Sequence, residues 1–230
     1  MLINGLSLLI VQLMIQRTLL VGTVLLGTSM AYSQSLPNIT INAARISSTL
    51  VFRTEQFKGN DCAIDEGCVG GAGKRKLMRF DLQTPNIGDA DLYLGSPVNN
   101  PKFVYSSCHG HYHLTGYAVY ELLNLNGTPV VLNGRGVIGH KQAFCLLDSE
   151  KVNPAAGPAK YTCSNQGISA GWSDVYGASL DCQWIDVTGV PAGNYVLRVT
   201  LNGGLNGVHV FEESNYADNT AEVTVTVPRH

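Results

Sequence analysis

Beyond residue 33 the chain has no run of eighteen uninterrupted apolar residues, so its later part offers no candidate transmembrane helix. It also has no Cys-x2-Cys pair, which excludes a zinc ribbon. Basic residues are scarce and scattered. Arg17 is the one basic residue of positions 1–33, and the remainder holds 14 basic against 17 acidic residues, a net charge of −3. With no basic stripe, a nucleic-acid partner is not expected. A weakly acidic surface is compatible with cationic substrates. No segment reads as a long capped amphipathic helix, and no repeat or low-complexity linker interrupts the chain.

What is present begins with a targeting signal. Residues 1–33 contain no Asp or Glu, and the apolar run from Leu19 to Leu26 leads into Ala31-Tyr32-Ser33. Small residues at Ala31 and Ser33 fit a signal-peptidase site. We therefore expect residues 1–33 to be a signal peptide and residues 34–230 to form one secreted or periplasmic domain. A start at Met14 would put Arg17 ahead of the apolar core; the competing reading is a retained membrane anchor. Six cysteines, Cys62, Cys68, Cys108, Cys145, Cys163 and Cys182, follow the signal. An even number in an oxidising compartment predicts three disulfides, with about 15 possible pairings.

Strand-like runs recur between Gly, Pro and Asn turns. They are Ser48–Arg53, Lys76–Leu82, Tyr117–Leu123, Pro129–Leu132, Tyr195–Leu201 and Ala221–Val227. The last alternates with period two, as a strand with one wet face does. Short strands with turn punctuation predict an all-β fold, a β-sandwich with long loops stapled by disulfides. One loop, Asn153 to Gly171, is rich in Gly, Pro, Ala and Ser, and a disulfide between Cys145 and Cys163 could staple it.

The densest chemistry is His109-Gly110-His111-Tyr112-His113, directly after Cys108. Histidines at i and i+2 share a strand face and make a familiar half-site for copper or zinc. In a straight strand, i and i+4 lie about 13 Å apart, so one ion reaches all three only if the backbone bends. Gly110 makes such a bend easier. Tyr112 would face the opposite side and pack. A solvated histidine strand is the plainer reading. Further on stand Lys141, in Gly139-His140-Lys141, and Tyr176, in Asp174-Val175-Tyr176. Nothing in their spacing pairs them.

These segments together resemble the lysyl oxidase family. Cys108 to His113 is similar to its Cys-His-Gln-His-Tyr-His, and Gly139 to Cys145 to its Gly-His-Lys-Ala-Ser-Phe-Cys. Asp181 to Val199 matches DCQWIDITDVKPGNYILKV almost residue for residue. Cys62-x5-Cys68 followed by Arg75–Phe80 resembles the family's Cys-x5-Cys and RVLLRF. The resemblance runs from Leu36 to Val227 and implies a minimal catalytic domain. It implies copper held by His109, His111 and His113, and a lysine tyrosylquinone cofactor built from Lys141 and Tyr176. It implies the pairs Cys62–Cys108, Cys68–Cys182 and Cys145–Cys163. The activity implied is oxidative deamination of protein lysine side chains or small primary amines by O2, releasing aldehyde, hydrogen peroxide and ammonia. There are departures. The family's upstream Trp-x-Trp-His is Phe103-Val104-Tyr105-Ser106 here, and Trp172 stands where animal members have a cysteine.

Asp174 is the sequence-local candidate for the base that takes the substrate proton, with a structural carboxylate as the competing role. His140 fits a hydrogen-bonded structural role, or an orienting one. Glu212 to Asn219 resembles the family's Pro-Glu-Ser-Asp-Tyr-Thr-Asn-Asn; it reads as a capped turn, with a calcium site conceivable from its oxygens. Asn38-Ile39-Thr40 and Asn126-Gly127-Thr128 fit glycosylation sequons. Two other functions compete: a non-catalytic copper-binding β-sandwich, which needs neither Lys141 nor Tyr176, and a zinc hydrolase built on three histidines.

Overall fold

A computed structural model describes residues 34–143, 145–203 and 207–229, with the side chains of 140–143 excluded. The expected signal peptide lies outside the described residues. From the N-terminus come α1 (Ala43–Thr49), β1 (Val51–Phe57), α2 (Cys62–Asp65), β2 (Gly73–Arg79), β3 (Leu82–Pro85) and β4 (Leu92–Gly95). The middle of the chain forms β5 (Phe103–Ser106), β6 (His111–Leu123), β7 (Val131–Leu132), β8 (Arg135–Gly136) and β9 (Ile138–Ala143). The rest forms β10 (Glu150–Lys151), β11 (Gln166–Ile168), β12 (Trp172–Tyr176), β13 (Trp184–Asp186), β14 (Gly193–Leu201) and β15 (Thr220–Val227).

The fold is all-β, antiparallel and stapled by three disulfides. The largest sheet runs β15-β14-β6-β5, with β9 also paired to β6. Smaller sheets are β1-β2-β13 and β10-β12-β3. One apolar core joins them: Tyr120 and Leu122 of β6, Leu197 and Val199 of β14 and Val225 of β15 cluster with Met78, Phe80, Leu82 and Ile185. Burying each large apolar side chain contributes roughly 1.5–3 kcal/mol. A second, smaller core of Phe57, Leu77, Cys182 and Trp184 with Ala63 and Val69 lies under the loop between Cys62 and Cys68.

Three strand expectations need correction. Ser48 and Thr49 are helical, because the Asn42 side chain caps α1 at the Arg45 N–H and the Ser47, Ser48 and Thr49 hydroxyls donate to carbonyls three or four residues back. Lys76–Leu82 is broken at Phe80-Asp81, where the chain turns out of β2's sheet into that of β3. The Asp81 N–H donates to the Thr49 hydroxyl and its carboxylate pairs with Arg45 at that corner. Pro129–Leu132 shrinks to the two residues of β7, joined to β6 by a single bridge at Pro129. The expected long loop is stapled by Cys145–Cys163, though β11 forms within it.

Candidate metal and quinone site

β6 organises the site. Its N-terminal end forms a hairpin with β5, Ser106 opposite His111, and the turn between them carries Cys108, His109 and Gly110. Gly110 has φ +70°, a left-handed conformation that glycine adopts without strain. The Gly110 N–H closes the turn on the Ser106 carbonyl at 2.8 Å. His109 is thereby brought against His111 and His113 instead of lying about 13 Å from His113, as a straight strand would place it. Ring centroids are 5.3 Å apart for His109 and His111, 5.8 Å for His109 and His113, and 4.8 Å for His111 and His113. Cys62–Cys108 clamps the turn immediately before the first histidine. Tyr112 packs edge-on against Tyr105, its cross-strand partner, at 5.1 Å.

The donor set fits copper. Nε2 of His111 and of His113 are 2.9 Å apart. Two nitrogens bound at about 2.0 Å to one ion lie about 2.8–3.3 Å apart, between right-angled and tetrahedral arrangements. Burial, then the neighbouring His113 and His109, lowers the His111 pKa to about 4. That ring is neutral at physiological pH, the form that binds metal. Imidazole nitrogen suits copper, which stands at the top of the divalent affinity order. The Glu66 carboxylate faces the same cluster, Oε2 3.2 Å from His109 Nε2 and Oε1 4.0 Å from His113 Nδ1. The Cys182 sulfur lies 3.9 Å from Glu66, but Cys182 and Cys68 are bonded to each other and offer no thiolate.

Further along β6 the register slips between Leu114 and Ala118, two extra residues bulging opposite β9. Gly116, at φ +79°, makes the bulge possible. Beyond it Ala118 pairs with Lys141, so the backbone of the expected quinone lysine is strand-paired to the histidine strand. The side chains of His140 and Lys141 are outside the described residues. Tyr117, at the edge of the bulge, packs edge-on against Tyr176 with centroids 5.9 Å apart. Tyr117 also meets Phe211 at 6.4 Å, and Phe211 lines a cleft of about 510 Å3 with Leu92, Tyr93, Lys102 and His209.

Asp174 and Tyr176 sit on one face of β12, both buried. Burial raises the Asp174 pKa to about 6. Hydrogen bonds from the Ser149 hydroxyl and the Val175 N–H, each 2.8 Å to Oδ1, hold the group and oppose that rise. Burial and the adjacent Asp174 push the Tyr176 phenol well above its ordinary range, so it stays protonated. Trp172, in the place of the family's cysteine, donates its indole N–H to the Gly157 carbonyl at 3.0 Å, and Lys151 lies over its ring.

Two site residues are not evident from sequence alone. Glu66 stands between Cys62 and Cys68, whose spacing points only to a disulfide framework. Tyr117 reads in sequence as an ordinary strand residue, and its one signal is its position four residues after His113. In the Glu212–Asn219 loop, Glu213 accepts from the Ile39 N–H and from the amides of Asn202 and Asn219, so it caps the turn. Asn38 Oδ1, Asp218 Oδ1 and Asn219 Oδ1 remain buried without a hydrogen-bond partner among the described residues. Asn38 is buried, its amide donating to Asp218, whereas Asn126 is exposed.

Fold and site thus define a disulfide-stapled antiparallel β-protein with a histidine triad at the mouth of one hairpin. The lysyl oxidase family model matches residues 37–229. Human lysyl oxidase homolog 2 is 34% identical over 211 residues, 86% of this chain and 25% of that protein. The chicken (Gallus gallus) lysyl oxidase homolog 2 is 35% identical over 206 residues, 84% and 25% of the two chains. Human lysyl oxidase homolog 3 is 31% identical over 210 residues, 86% and 26%. The chain belongs to the lysyl oxidase family. It spans about a quarter of the length of these relatives.

Proposed function

We propose that this protein is a secreted copper amine oxidase that deaminates peptidyl-lysine or other primary amines to aldehydes. The observation that carries the reading is convergence on one strand. β6 presents His111 and His113, pairs with Lys141 through Ala118, and touches Tyr176 through Tyr117. His109, His111 and His113 would hold the copper. Lys141 and Tyr176 would be joined as lysine tyrosylquinone, which supplies a sink for two electrons from the amine and returns them to O2. Water and O2 are consumed, and ammonia and hydrogen peroxide leave with the aldehyde. Asp174 takes the proton from the substrate carbon; with a pKa near 6 it is mostly ionised at pH 7 yet basic enough to accept one. Burial of Tyr176 keeps bulk water from the reacting ring. Three disulfides suit the oxidising compartment that a signal peptide implies, and no described helix is long and apolar enough to cross a membrane.

The decisive experiment is to express the mature chain with copper in air, digest it and search by mass spectrometry for a covalent link between the peptides carrying Lys141 and Tyr176. A link supports the oxidase. Unlinked, unmodified peptides from fully copper-loaded protein would leave a copper-binding module.

The pH dependence is a second test. Asp174 titrates at about 6 in the folded chain, above its ordinary 3.8, so its ionisation disfavours the native state. Stability from this group is fully present only below its ordinary 3.8 and is lost as pH rises from there through about 6, by roughly 2–3 kcal/mol in all. Activity runs the opposite way, because the base must be ionised. We expect kcat/KM to rise through pH 6. Asp174→Asn should lower it by about 10²–10⁴-fold and stabilise the fold above pH 6. An unchanged rate in Asp174→Asn would assign the proton transfer to another group.

The oxygens of Asn38, Asp218 and Asn219 that are buried without a partner among the described residues favour a calcium site at that loop, beside the capping role of Glu213. Calcium added to chelator-treated protein at a hundred times its Kd should stabilise the fold by about 2.7 kcal/mol. A melting midpoint indifferent to calcium would leave only the capped turn.

A further inference from the structure

We propose that Glu66 is a positioning residue of the copper centre, an outer-sphere carboxylate that fixes the orientation and tautomer of His109. The inference rests on the copper-binding reading above. A histidine that binds a metal through one nitrogen commonly donates its other N–H to a carboxylate, which sets the ring plane and makes the ligand more basic. Glu66 Oε2 lies 3.2 Å from His109 Nε2. A proton on that nitrogen puts the His109 lone pair on Nδ1, which would be the nitrogen that binds the ion. His109 needs such a partner most, because it sits in the turn while His111 and His113 are held by the β6 backbone.

The carboxylate is itself held. The Ser106 hydroxyl donates to Oε1 at 2.7 Å, and Ser106 pairs with His111 across the hairpin. Glu66 ends the short helix α2, its backbone N–H donating to the Cys62 carbonyl at 2.9 Å. The cysteines on either side tie this loop down, Cys62 to Cys108 beside His109 and Cys68 to Cys182. The small core beneath contributes Ala63, Val69 and Trp184, and the Trp184 indole N–H donates to the Cys68 carbonyl at 2.9 Å. Disulfides, core and hydroxyl all position one charged group against one histidine.

The test is Cu(II) affinity, measured by competition with a chelator on the metal-stripped mature chain, together with the electron paramagnetic resonance spectrum of the reloaded protein. Glu66→Ala should weaken Cu(II) by about 10–100-fold, the range for outer-shell partners, and Glu66→Gln by less. Ser106→Ala should give the smallest fall. Nitrogen coordination in the spectrum should persist in every variant, and the metal-free melting midpoint should barely move. If Glu66→Ala fails to fold, the milder Glu66→Gln and Ser106→Ala carry the test. Wild-type affinity in all three variants would overturn the proposal. Loss of an oxygen ligand from the spectrum of Glu66→Gln would also overturn it, since Glu66 would then be a ligand itself. A wild-type chain that fails to bind Cu(II) would instead sink the oxidase reading, and this inference with it.

Discussion

Tyr176→Phe should load copper as the wild type does and show no amine oxidation, a loss of roughly 10³-fold or more, because the proposed electron sink is built on this ring. The substitution removes one hydroxyl from a buried ring. The aromatic contact with Tyr117 survives, and the cost to stability is about 1 kcal/mol for the lost polar interaction with Asp174. Lys141→Arg should behave the same way: it keeps the charge and the strand pairing with Ala118 but offers no amine to join the ring. Phenylhydrazine gives an independent reading, since it colours a quinone and should leave both variants colourless. Oxidation at wild-type rate by either variant would mean that the chain carries its redox chemistry elsewhere.

The second large effect concerns the fold. Replacing Cys68 and Cys182 together by serine opens a link between residues 114 apart in sequence, whereas Cys145–Cys163 spans 18. Loop-closure entropy makes the first worth about 5 kcal/mol and the second about 3 kcal/mol. For a domain of this size each kcal/mol moves the melting midpoint by about 2–4 °C. Loss of Cys68–Cys182 should therefore lower it by roughly 10–20 °C, and loss of Cys145–Cys163 by about half as much. Scanning calorimetry of the two double variants would decide. A reversed order would show that local packing, not chain entropy, sets the contribution of each bridge.

Much of this was legible before the structure. Ala221–Val227 and Tyr195–Leu201 announced themselves by alternation and lie within β15 and β14. The sequence made a bend the condition for one ion to reach all three histidines and pointed to Gly110 as the place that eases it, and the turn there has φ +70°. The disulfide pairing was legible only through the resemblance, since six cysteines leave the choice open. Other features were hidden for physical reasons. The helical fate of Ser48 and Thr49 depends on the Asn42 cap and on hydroxyl bonds that periodicity does not register. Glu66 is an ordinary acidic residue until the disulfides fold its loop onto His109. Tyr117 becomes a site residue only because a two-residue bulge stands opposite β9.

The long-range contacts around the site also bear on its timing. Thr84 and Asp174 meet across 90 residues, and Phe80 and Gln183 across 103. Contacts of such range close slowly, because the intervening chain must lose its freedom before they form. The hairpin of β5 and β6, by contrast, is local and can gather its histidines early. Metal capture can then precede the arrival of Tyr176, and any joining of Tyr176 to Lys141 is a late event that reports complete folding. The covalent mark would serve as a record that a given molecule had reached its native state.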